Sequence, residues 1–122
     1  MAANNGFFKY LTKEDNLQLA LCNYLKMAYR DVIFHHSPNE GKRSYFERFK
    51  LKIMGVSSGF PDLFIPIAKG GYHGLFIELK IKPNKCTDNQ KKWIKYIIEQ
   101  GYKADICYDF DEAKKVIDDY LS

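Results

Sequence analysis

The spacing of hydrophobic and polar positions changes several times along the chain, and each change marks an element. Leu17, Leu21, Tyr24, Leu25 and Ala28 recur at helical spacing. Thr12 followed by Asp15 is an approximate capping signal, so a first helix is expected from Thr12 to about Tyr29. Val32 to His36 reads as a short strand that the turn residues Ser37-Pro38-Asn39 end. Lys42 to Met54 returns to helical spacing, with Phe46, Phe49 and Ile53 as an apolar stripe. Gly55 to Gly59 is a loop. Two apolar runs follow, Leu63 to Ile67 and Leu75 to Ile77, separated by Lys69-Gly70-Gly71; consecutive glycines between such runs signal a β-hairpin. Thr87-Asp88-Asn89-Gln90 is a capping box. It opens a helix that turns Trp93, Ile94 and Ile97 inward and stops at Gly101. Lys103 to Tyr108 reads as a buried strand. Phe110 to Leu121 reads as a closing helix with Ala113, Val116, Ile117, Tyr120 and Leu121 inward. The order α-β-α-β-β-α-β-α predicts an α/β sandwich around a mixed sheet. Met1 to Tyr10 lacks periodicity and is expected to be a flexible segment before a single domain over residues 11–122.

The hairpin carries charges where an apolar pair of strands should have none. Asp62 opens the first arm, and the second runs from Leu75 into Glu78-Leu79-Lys80. In an antiparallel pair the start of one strand lies beside the end of the next, so Asp62 and Glu78 are neighbours in space. Alternation puts Glu78 and Lys80 on one face and Leu79 on the other. Two carboxylates about 4 Å apart repel by roughly 4 kcal/mol at an effective dielectric near 20. A divalent cation between them turns that repulsion into binding, and hard ions such as Mg²⁺ accept carboxylate, water and phosphate oxygens. Lys80, close by, can orient the attacking water or neutralise charge building on a phosphate. The set suits hydrolysis of a phosphodiester. The plainer alternative is a cross-strand Glu–Lys pair on a solvated face.

Composition narrows the field. A chain of 122 residues, 46% hydrophobic and 16% aromatic, is long enough for one core and too apolar for disorder. No apolar run approaches the roughly 20 residues that span a bilayer, and no signal peptide is seen, so a cytoplasmic protein is expected. Cys22, Cys86 and Cys107 are odd in number and widely spaced, so free thiols are expected. Three scattered histidines with no paired ligand spacing argue against a zinc site. The net charge is +4, but residues 105–122 hold six acids against two lysines. The remaining chain is therefore more basic than the total and suited to a polyanion. Lys42, Arg43, Arg48, Lys50 and Lys52 form either a solvated helix face or a surface that follows phosphates toward the hairpin. Lys82 and Lys85 lie on the basic loop that leaves Lys80.

Gly59-Phe-Pro-Asp62, an apolar strand, a Gly-Gly turn, a second apolar strand and Glu78-Leu-Lys80 together resemble the PD-(D/E)xK nuclease superfamily. His36-Ser-Pro-Asn-Glu-Gly-Lys-Arg43 and Thr87-Asp-Asn-Gln90 narrow the resemblance to its VRR-NUC family, from about Leu11 to Leu121. The resemblance implies a restriction-endonuclease-like three-layer sandwich. It also implies a metal-dependent DNA endonuclease using Mg²⁺ or Mn²⁺, held by Asp62, Glu78 and the backbone carbonyl of Leu79. Glu14 shares a helical stripe with Gln18, Leu21 and Leu25, at the end of the buried face. It matches the family's first-helix glutamate, though a helix N-terminus alone favours an acid there. Gln90 is explained by capping, and its match to the family's glutamine adds a role bracing Lys80 or the metal site. The segment holding His36 and Asn39 is similar to one the family places near the active site, which implies contacts to DNA there or to water around the metal. Small stand-alone members are similar to phage and bacterial proteins proposed to act as homodimers on branched DNA such as Holliday junctions. Phe7, Phe8 and Tyr10 are candidates for a dimer surface or for the protein's own core. The competing expectation is a catalytically silent DNA-binding module that keeps the fold.

Overall fold

The computed structural model of the protein describes residues 11–37 and 44–122. Met1 to Tyr10, and with them Phe7 and Phe8, lie outside the described residues, as do Asn39, Lys42 and Arg43. The elements in order are α1 (Lys13–Ala28), β1 (His35–His36), α2 (Tyr45–Ile53), β2 (Leu63–Ile65), β3 (Leu75–Leu79), α3 (Asp88–Glu99), β4 (Lys103–Cys107) and α4 (Phe110–Leu121). This is the expected order. The strands form one sheet, β1-β2-β3-β4, antiparallel except for the parallel pair β3–β4. The chain is an α/β protein with a restriction-endonuclease-like fold.

The hairpin folds as its glycines require. Gly70 and Gly71 take φ of 59° and 87°. The Lys69 N–H donates to Tyr72 and the Tyr72 N–H donates back, at 3.0 and 2.9 Å. Positive φ at both central residues is the turn whose twist matches that of the strands. Register then sets Leu63 opposite Ile77 and Ile65 opposite Leu75. These four side chains, with Leu79, are buried against Leu17, Leu21 and Leu25 of α1 and Ala113, Ile117 and Tyr120 of α4. The alternate positions face α3: Phe64 stacks on Phe76 at 4.2 Å between ring centres, Phe60 packs edge-on to Phe76, and Trp93 packs edge-on to Phe60. One period-2 pattern thus divides β3 between two helical layers. Burying one of these aliphatic side chains contributes about 1.5–3 kcal/mol.

Capping fixes where the helices begin. Thr12 with Asp15, and Thr87 with Gln90, each form a reciprocal capping box, while Ser44 and Asp109 cap α2 and α4 with their side chains. Tyr24 and Tyr29 of α1 both donate hydroxyl hydrogen bonds to Asp118 of α4, and Lys114 reaches the other oxygen at 2.9 Å. This three-donor clamp joins the two helices that share the main core.

Three expectations need correction, and one apolar stripe lies outside the core. The strand expected over Val32 to His36 is only His35–His36. Continuing the β1–β2 register past His35↔Phe64 would bring Ile33 opposite Pro66, which has no N–H to give a ladder. The same proline ends β2 at Ile65, short of the expected Ile67. β4 is half-buried along most of its length rather than buried, because it is an edge strand. Phe46, Phe49 and Ile53 do form a stripe, but none of them is buried, and α2 contributes nothing to the core.

Candidate metal centre

Three carboxylates meet where β2 begins, β3 ends and α1 begins. One oxygen from each of Glu14, Asp62 and Glu78 lies within 4.8 Å of the others. Each is held differently. Asp62 Oδ2 accepts the Leu79 N–H at 2.7 Å, a bond from the end of one hairpin arm to the start of the other. Glu78 is 2% exposed, and its Oε1 accepts from the Gln90 amide nitrogen at 2.9 Å. The same oxygen lies 3.8 Å from Lys80 Nζ, and Lys80 is itself 8% exposed. The Lys80 N–H donates to Cys107 C=O at 2.9 Å, which carries the β3–β4 ladder one residue past Leu79. Alternation therefore still governs Lys80 and keeps it on the face of Glu78.

This arrangement is electrostatically costly as it stands. Burial, and then the neighbouring Asp62 charge, push the Glu78 carboxyl far above its ordinary range. Burial also raises Asp62; the Leu79 N–H opposes the shift and Glu14 adds to it. Glu14 is raised by burial and drawn back by Lys80. Glu78 Oε2 is buried and accepts no N–H or O–H of the described residues; only a proton held on one of the two carboxyls can link Glu78 to Asp62. A buried acceptor with no donor costs about 1–3 kcal/mol, more when charged. Three converging oxygen donors, one of them given no N–H or O–H by the chain, fit a hard divalent cation, which would meet that oxygen and offset the mutual repulsion.

A sequence model of the VRR-NUC domain matches residues 7–110, which is most of the chain. The chain belongs to the VRR-NUC domain family. A solved structure named VRR-NUC domain protein is 35% identical to it, with a TM-score of 0.74 over 91% of this chain and 89% of that one. A second, named VRR-NUC domain, is 21% identical with a TM-score of 0.56 over 88% of this chain and 97% of that one, and shares the fold. No curated protein matches the chain. Membership of VRR-NUC places the protein in a nuclease family. Among the described residues, no helix is long and apolar enough to cross a membrane.

Of the VRR-NUC site residues expected from sequence, the structure brings Asp62, Glu78, Glu14, Lys80 and Gln90 together. His36 is exposed on β1 opposite Leu63, so alternation assigns it to the α1 side of the sheet, away from the Glu78 face. Lys82 and Lys85 are exposed, and Lys82 Nζ lies 5.7 Å from the Tyr108 ring centre. Two neighbours of the site escaped the sequence reading. Burial raises the Cys86 thiol, the Glu78 and Asp62 charges add to the shift, and Lys80 opposes it. Gln18, one turn beyond Glu14, is buried with its amide nitrogen unpartnered. A glutamine inside an apolar helical stripe was the available signal.

Proposed function

We propose that this VRR-NUC protein is a DNA endonuclease dependent on Mg²⁺ or Mn²⁺, acting in the cytoplasm of a bacterial or phage-infected cell. Asp62, Glu78 and Glu14, with the Leu79 carbonyl, would hold the ion. When bound, the ion supplies Lewis-acid stabilisation to a phosphoryl oxygen. The remaining work falls to the chain's own groups. The Leu79 N–H fixes Asp62, and the Gln90 amide fixes Glu78, so both carboxylates arrive already oriented. Lys80 is confined by burial beside Glu78; its ammonium donates to the scissile phosphate or orients the attacking water. Exposed Lys82 and Lys85 offer phosphate contacts, and His36, Asn39, Lys42 and Arg43 are assigned to the DNA on the family pattern alone.

The observation that carries this reading is the orphaned Glu78 Oε2 inside three converging carboxylates. A solvated Glu–Lys pair would not bury an unpaired acceptor. We extend the proposal to branched DNA, including Holliday junctions, cut by a homodimer whose two sites face symmetric strands. What supports pairing is the apolar face of α2, where Phe46, Phe49 and Ile53 are exposed and touch no core. The test is cleavage of duplex, flap, splayed and four-way DNAs with Mg²⁺ or Mn²⁺ against EDTA, alongside native mass. Asp62→Ala and Lys80→Ala should fold and cut nothing. Cutting at the wild-type rate by either purified variant, or full activity in EDTA, rejects the proposal.

A further inference from the structure

A second feature lies one residue from the metal centre. A groove of about 870 Å³ runs between α2, the Gly55–Ser58 loop and α3. That volume is within the roughly 300–1,000 Å³ typical of ligand clefts. Arg48, Lys52 and Lys92 line it, and among the described residues no acidic side chain does. Trp93 and Tyr96 form the aromatic wall, 6.3 Å apart and nearly perpendicular, and Tyr96 is 57% exposed. Cations interleaved with open rings suit unpaired nucleotides, whose bases stack while phosphates meet the positive charges. A duplex hides its base faces and cannot use such rings.

The groove is tied to the carboxylates through two short links. Asn89 lines it and donates to Ser58 at 2.8 Å, closing the groove between loop and helix, while the next residue, Gln90, donates to Glu78. On the other side Phe60, two positions before Asp62, packs on Trp93 with ring centres 5.0 Å apart. Gly59 sits so close to α3 that a Cβ there would lie 2.7 Å from the Asn89 backbone carbon. The loop and α3 walls of the groove are therefore packed directly against the centre.

We infer that this groove receives an unpaired strand of the DNA substrate and so makes the protein prefer branched DNA with a single-stranded arm over fully paired branched DNA such as a Holliday junction. The inference rests on the nuclease reading for the kind of polyanion, but its binding test does not require cutting. Trp93 is the only tryptophan in the chain, so its fluorescence reports the groove directly. Titration with a ten-nucleotide oligo(dT) in EDTA should quench it saturably, and a blunt hairpin duplex of equal charge should quench it much less. Tyr96→Ala and Lys52→Glu, both at exposed positions, should weaken oligo(dT) binding about 5- to 100-fold. With metal, they should lower cleavage of splayed DNA by a similar factor and that of blunt duplex much less. Absence of quenching, or equal oligo(dT) affinity in both variants, overturns the inference. A Trp93 emission shift on concentrating the protein without DNA also overturns it, because a second copy would then occupy the groove. Quenching without metal-dependent cleavage upholds the groove and rejects the nuclease. Cleavage without quenching does the reverse.

Discussion

Replacing Glu78 with Gln should stabilise the metal-free protein while abolishing its response to divalent ions. The carboxylate oxygens of Glu14, Asp62 and Glu78 lie within 4.8 Å of each other. Two full charges at that distance repel by about 3.5 kcal/mol at an effective dielectric near 20. Protonation relieves part of this, since burial and mutual repulsion raise all three carboxyls. The sign follows from linkage. A carboxyl raised on folding holds its proton more tightly in the native state, so its contribution is complete below the ordinary carboxylate range. The contribution is lost as pH rises, through about 6 for Asp62 and about 8 for Glu78. Wild-type apo-protein should therefore lose stability between about pH 4.5 and 8. Glu78→Gln keeps an amide oxygen for the Gln90 bond but loses the charge that strengthens it and the attraction of Lys80 3.8 Å away, together about 1–2 kcal/mol. Set against the removed repulsion, the net gain at pH 8 should be about 1–3 kcal/mol, or roughly 4 °C in Tm per kcal/mol. At pH 5, where the native carboxyls are already protonated, the gain should vanish. A saturating ion at 100 times its Kd should stabilise wild type by about 2.7 kcal/mol and the variant by far less. Thermal melts at pH 5 and pH 8, with EDTA or Mn²⁺, measure all four states. A variant equally destabilised at both pH values that still gains full stability from Mn²⁺ would refute the account.

Gln90→Leu removes both the bond to Glu78 and the capping partner of Thr87, so it should cost about 1–3 kcal/mol in urea unfolding. Calorimetry should also show divalent-ion affinity falling about 10- to 100-fold, because an outer-shell partner is lost. Gly59→Ala must adopt φ of 91° and press a methyl against the α3 backbone, so urea midpoints should fall by more than about 1–2 kcal/mol. Tyr24→Phe and Tyr29→Phe should each cost about 1 kcal/mol. The Tyr24 and Tyr29 hydroxyls hold Asp118 down to about 2, so its contribution is present above the ordinary carboxylate range and lost as pH falls toward 2. The double Tyr variant should therefore show a flatter acid limb in melts from pH 5 to pH 2.

The hairpin and the helix starts were legible because single local interactions decide them. Gly70-Gly71 supplies positive φ at both central positions of a two-residue hairpin turn without strain, and a Thr followed three residues on by an acid or amide satisfies two N–H groups at once. The meeting of Asp62 with Glu78 followed from the hairpin, because antiparallel register leaves no other place for them. What failed depended on partners distant in sequence. The length of β1 is set by Pro66, thirty residues away and just past the end of β2. The exposure of β4 follows from its place at the sheet edge, which alternation within the strand does not encode.

Gln18 marks the limit more sharply. Its spacing put it on the buried stripe of α1, and the structure buries it there. Spacing alone cannot say whether such an amide finds a partner. Its nitrogen finds none among the described residues, one turn beyond a glutamate that converges on the other carboxylates. The same pattern holds at Glu78, whose backbone belongs to the core strand while one oxygen remains unmatched. Folding accounts for where these two residues sit and leaves each with an unmet polar atom. Neither unmatched atom adds to stability, and at Glu78 the other oxygen is kept by Gln90 and Lys80. The unmatched atoms are therefore best explained by a demand from outside the chain.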